Sequence, residues 1–150
     1  MMTINFEYTY QTLEFDDLNK FEKNFNIYLP DDYKSFLLKN NGGKSNKRRF
    51  KTSDGTITTS IMLFLPISKE VELNLNNFYT KYNLGKIVPS NFLPIGIDPA
   101  DSLICLEIGG EGKVYFCDMD YFEEDNELKE EYISVVADNF TMFLENLSEA

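Results

Sequence analysis

The sequence predicts an α+β fold, a single domain in which an antiparallel β-sheet packs with N-terminal helices and a C-terminal helix. Three observations predict it. Apolar residues recur at helical spacing near both ends of the chain. Between them, residues 92–118 form strand-length apolar pieces separated by turn residues. No repeat, linker or low-complexity tract divides residues 1–150. A chain of this length buries roughly 68–70% of its unfolded surface, enough for a core without disulfides or metals.

Leu18, Phe21, Phe25 and Tyr28 fall at i, i+3, i+7 and i+10, the buried face of a first helix. Asp16 and Asp17 precede it, where carboxylates accept from free N–H groups. Pro30 at the first helical position, followed by Asp31 and Asp32 at the positive end of the dipole, starts a second helix. Tyr33, Phe36 and Leu37 form its apolar face, and Asn40 to Gly43 stop it. Lys44 to Lys51 is polar and basic and reads as a solvated loop. Ser53 to Thr56 reads as a turn between two strands, and Ile61 to Leu65 as a short strand. Val71, Leu75, Phe78, Tyr79 and Tyr82 predict a third helix, which Gly85 stops. Leu93, Ile95 and Ile97 alternate, residues 98–101 turn the chain, and Leu103 to Ile108 is a strand. Gly109 to Gly112 closes a hairpin onto Val114 to Cys117. Residues 103–106 are apolar on both faces, which puts their strand at the centre of the sheet. Phe140, Phe143, Leu144 and Leu147 mark the last helix.

Composition removes several functions. The chain has no His, which excludes Ser–His–Asp and Cys–His catalysis and His-ligated zinc. It has no Trp, the best sugar-stacking side chain. The formal net charge of -11 opposes direct binding to nucleic acid or an anionic membrane and favours basic partners. Two cysteines are too few for a secreted disulfide framework. Met1 to Glu7 has neither a basic region nor an apolar run of secretory type. These readings point to a cytoplasmic protein without cofactor or metal.

Leu29-Pro30-Asp31-Asp32-Tyr33-Lys34-Ser35-Phe36-Leu37 followed by Asn40-Asn41-Gly42-Gly43 resembles the opening block of the SMI1/KNR4 proteins of the SUKH superfamily. Phe92 to Asp98, the Asp101 to Leu106 strand and Gly112 to Asp118 resemble that family's second block. The resemblance spans residues of about 14–147, weakest between Lys44 and Val88. It implies a single α+β domain with an antiparallel sheet and no known catalytic residues. It also implies an immunity protein that binds and neutralises a cognate polymorphic or contact-dependent toxin, often a nuclease. Fungal relatives imply the alternative, a regulatory or scaffolding module. Pro30, Gly42, Pro94 and Gly96 read as backbone geometry.

Charge is unevenly distributed. Residues 1–75 balance ten acids with ten bases, whereas residues 76–150 hold fifteen acids and four bases. Eight acids fall between Asp118 and Glu131, opposed only by Lys129. A solvated face explains such a run, and so does an electrostatic patch for a basic toxin. The candidate partner-binding residues are Asp120, Tyr121, Phe122, Glu123, Glu124, Asp125, Glu127, Glu130 and Glu131. Tyr121, Phe122 and Tyr132 supply either aromatic anchors or the core side of the segment. A calcium loop starting at Asp118 fails, because Phe122 and Glu123 occupy its fifth and sixth positions. Lys44 to Lys51 holds five bases, a solvated loop or an internal partner for the acids. Asp98 and Asp101 read as turn formers. Cys105 and Cys117 fall close to opposite each other on adjacent strands; they read as buried free thiols, with a strained disulfide as the alternative. The protein is expected to act as a monomer or weak homodimer.

Overall fold

The computed structural model describes residues 4–149; the Met1 to Thr3 part of the reading of Met1 to Glu7 lies outside them. The chain runs β1 (Phe6–Tyr8), α1 (Phe15–Phe25), α2 (Asp31–Lys39), β2 (Lys44–Ser45), β3 (Lys47–Lys51), β4 (Thr58–Ser60) and β5 (Leu63–Phe64). It continues with α3 (Leu75–Phe78), a π-helical segment (Tyr79–Leu84), β6 (Phe92–Ile97), β7 (Leu103–Glu107) and β8 (Val114–Cys117). After α4 (Phe122–Asp125) and a 3-10 turn (Glu130–Tyr132) come β9 (Ile133–Ala137), α5 (Phe140–Glu145) and β10 (Ser148–Glu149). Every named strand pairing is antiparallel, so the α+β expectation holds.

The main sheet has five strands in the order β5-β6-β7-β8-β9. β7 is its central strand, as two-sided apolarity predicts, and Leu103 to Leu106 are fully buried. Register assigns the two faces, because directly opposed residues project to one side. Leu106, Ile104, Val114 and Phe116 share the face that meets β3 and α5; Phe116 lies 6.1 Å from Phe50, and Phe50 lies 5.5 Å from Phe143. Tyr33 and Phe36 of α2 each approach Phe140 of α5 to 5.0 Å, and Phe36 reaches Phe64 at 5.1 Å. Phe92, Glu107, Cys105, Tyr115 and Ile133 lie on the opposite face.

Asn41-Gly42-Gly43 acts through geometry. Asn41 is buried; its amide donates to the Gln11 and Ile67 carbonyls and its oxygen accepts from Ile67 N–H, all at 2.9 Å. Gly43 has φ 111°, and a Cβ there would sit 2.1 Å from the Tyr8 carbonyl oxygen. At Gly96 a Cβ would collide with Ile61 Cδ1 at 2.4 Å.

Several expectations need correction. Asn26 takes φ 55° and ends α1, so Tyr28 lies beyond the helical face and is 83% exposed. The N-cap of α1 is Glu14, one residue before the helix; Asp17 lies inside the first turn and accepts from Glu14 N–H at 2.7 Å. Pro30 is the residue before α2 rather than its first helical one. Asp32 spends its carboxylate on Thr141 N–H and hydroxyl, both at 3.0 Å, tying α2 to the start of α5. Lys44 to Lys51 forms strands β2 and β3 instead of a loop, because β3 is hydrogen-bonded on both sides by β10 and β4. Val71 precedes α3, whose N-cap is Asn74, and the second half of the expected helix is π-helical. Leu147 is buried beyond the end of α5. Cys105 faces Tyr115 and Cys117 faces Leu103, so the thiols are diagonal neighbours with sulfurs 4.0 Å apart, free and buried. Burial first, then the Cys117 thiol, pushes the Cys105 thiol well above its ordinary range.

Candidate partner-binding surface

The acidic run leaves the main sheet between β8 and β9. Asp118 N–H donates to the Tyr132 carbonyl at 2.9 Å and closes the base of this excursion. Asp118 Oδ1 accepts from Asp120 N–H at 3.0 Å, and Met119 N–H reaches Ser102 Oγ at 2.9 Å. Met119 and Leu128 pack against the core, leaving the charges between them outside it. Asn126 takes φ 55° and ends the single turn of α4.

All nine sequence-predicted residues therefore share one excursion. Asp120, Tyr121, Glu123, Glu124, Glu127, Glu130 and Glu131 are exposed, and Phe122 and Asp125 are half-buried. Asp125 is committed to Lys129 at 3.5 Å, an i,i+4 pair across the end of α4. Tyr121 is 46% exposed and stacks on Tyr132 with centroids 5.0 Å apart. The aromatic pair is a surface stack rather than an anchor into the core.

The charges act on one another. The Asp118 carboxylate, then burial and Asp98, hold the Asp120 carboxyl above the usual carboxylate range. Asp125 beside Lys129 holds its ammonium above the ordinary range. Burial first, then Asp125 and Glu131, raise the Tyr132 hydroxyl. Asp98 itself is buried in its turn, accepting from Ala100 and Ser102 N–H at 3.0 and 2.8 Å and from Thr59 Oγ1 at 3.0 Å. That is the turn-forming role expected of it.

Sequence reasoning missed a groove of about 600 Å³ beside this excursion. Residues 86–89 form one wall, Phe92 and Tyr115 the floor, and Leu128, Glu130 and Ile133 the other wall. The floor rings stack at 4.5 Å across β7. No sequence signal reveals the groove, because its walls come from segments about forty residues apart that meet only through sheet register.

The family model described as SMI1 / KNR4 family (SUKH-1) matches residues 13–146, nearly the whole chain. The chain belongs to the SMI1/KNR4 family. The SMI1/KNR4 match takes in α1 to α5, the whole five-stranded sheet and the acidic excursion. No curated protein matches the sequence closely enough to count as a relative.

Proposed function

We propose that this chain is an immunity protein, which binds a cognate toxin of a polymorphic or contact-dependent system stoichiometrically and blocks it. Membership of the SMI1/KNR4 family carries the reading, since its SUKH members are immunity-type proteins associated with toxin partners and generally not enzymes. The acidic excursion supports the choice of surface: seven of its nine candidate residues are exposed, and among the described residues only Asp125 of the nine has an ion-pair partner. A basic nuclease-type domain, built to hold phosphates, is the partner whose field complements it. Binding there relieves repulsion among carboxylates that face each other at neutral pH.

The test is a pull-down with the full chain at low and high salt, followed by titration of the recovered toxin domain. Changing Glu123, Glu124, Asp125 and Glu127 together to Ser is expected to slow association about tenfold or more at low salt. The same variant should fail to protect cells that express the toxin. Unchanged affinity in the folded variant removes the acidic surface from the mechanism. Recovery of a regulatory protein with little salt dependence replaces immunity with a scaffolding role.

A further inference from the structure

The groove beside the excursion has features that simple solvation does not require. Its apolar lining is left half-open: Ile87, Tyr115, Leu128 and Ile133 are only half-buried, over a floor closed by the buried Phe92. Both walls are held in place. The Tyr82 carbonyl accepts from Ile87 and Val88 N–H at 2.9 and 3.0 Å. The Asn83 amide donates to the Ser90 and Phe92 carbonyls at 2.9 and 2.8 Å. Asp118 to Tyr132 fixes the opposite wall. A preformed site avoids part of the ordering cost of binding.

Its charges are asymmetric. Lys86, held at φ 61°, is the base of one wall, and Glu130 is the acid of the other; Glu127 and Glu131, its exposed neighbours in sequence, lie outside the lining. At the floor, burial and then the Glu107 carboxylate raise the Tyr115 hydroxyl, with Lys113 opposing and Glu111 adding to the rise.

We infer that this groove receives one large apolar side chain of a basic protein partner, flanked by Lys or Arg that pair with Glu127, Glu130 and Glu131. Lys86 sets the direction, repelling the partner's cations from its own wall and turning them towards the excursion. The inference deepens the proposed function and rests on its basic-partner reading: the excursion attracts the partner, and the groove seats it.

Because the chain has no Trp, a Trp-containing probe excited at the red edge, where the chain's nine Tyr absorb little, reports against a dark background. The probes are the amidated peptide Lys-Arg-Trp-Arg-Lys, its analogue with Gly for Trp, and Ser-Ser-Trp-Ser-Ser, titrated with the full chain. The first should shift to the blue and bind about tenfold tighter than the Gly analogue measured by competition. Leu128→Arg and Ile87→Arg, one on each wall, should each remove the shift in a folded protein. The Ser variant of the excursion should instead weaken both basic peptides equally. Equal, salt-sensitive binding of the Trp and Gly peptides overturns the groove and leaves the acidic surface standing. Absence of binding by all three overturns the groove. Equal binding of the neutral Trp peptide overturns the basic partner. A toxin that binds through the excursion while both groove variants keep full affinity also overturns it.

Discussion

Two like-charged runs in this chain meet opposite fates. Lys44 to Lys51 carries five bases, and Asp118 to Glu131 carries eight acids. The basic run is woven into sheets, with Phe50 buried in its midst and Arg48 and Lys44 paired to Glu7 at 3.3 and 3.9 Å. The acidic run stands outside the sheet as short turns with no buried residue in α4 or the 3-10 turn. The difference lies in periodicity and neighbours. β3 places its charges around an apolar residue and finds pairing strands on both sides, so its backbone groups are satisfied. The acidic run has no period-two apolar pattern to bury, so its ordering comes from the stitch at its base.

The largest way to break that contrast is to remove the apolar centre of the basic run. Phe50→Ala deletes a ring set between Phe116 and Phe143 and should cost about 3–5 kcal/mol in urea unfolding. Tyr121→Ala, which deletes a ring of the exposed stack, should cost about 1 kcal/mol or less. Equal costs in the two variants would place the excursion inside the core and end the comparison.

The same contrast explains what was legible in the sequence. α1, α2 and the β6–β8 meander are readable because local periodicity, turn residues and burial agree over each segment. β3 was only half legible: the turn at Ser53 to Thr56 signals a strand on each side, as the β3–β4 pairing shows, but five charges in eight residues outweigh one Phe, and the other partner, β10, lies about a hundred residues away. β9 was missed although Ile133 to Val136 is rich in β-branched residues, since it follows the acids directly without a turn signal. Tyr28 and Val71 fit the helical spacings but fall outside the helices, because Asn26 and Asn74 set the boundaries. The acidic run was readable as a run of charge, but not which of its residues face solvent: Asp125 is half-buried and paired to Lys129, which only the turn of α4 decides. The groove was not readable, because it exists only where residues 86–92 meet residues 115–133.

A smaller perturbation tests how the basic run tolerates its own charge. Glu7 is the shared partner of Lys44 and Arg48, with its side chain about half exposed. Glu7→Gln should destabilise by about 1 kcal/mol or less at low salt, and the loss should fade as salt is raised. The reading of these bases as internal partners for the acidic run fails: among the described residues none of them forms an ion pair with the excursion, and Lys44 and Arg48 pair with Glu7 of β1 instead. A loss that persists in high salt would mean that Glu7 acts by packing instead of charge.

The finest comparison sets one Asp from each neighbourhood against the other. Asp54, in the turn after β3, accepts from Thr56 N–H at 3.0 Å and from the Thr52 and Thr56 hydroxyls at 2.7 and 2.8 Å. The Thr56 N–H first, then the hydroxyls, hold its carboxyl below the ordinary range. Folding therefore favours the charged form, and this contribution is present above the unfolded pKa, about 3.9, and lost as pH falls through the lowered folded one. Asp120 has the reverse sign. Asp118 beside it raises its carboxyl, so folding favours the protonated form, and stability is regained as pH falls from neutral through the raised pKa. Urea midpoints measured from neutral pH into acid should separate the two. Relative to the parent, Asp54→Asn should lose most at neutral pH and converge in acid. Asp120→Asn should gain most at neutral pH and also converge in acid. Parallel curves for either variant would mean that the local geometry, rather than ionisation, sets its effect, and the two runs would then differ in shape alone.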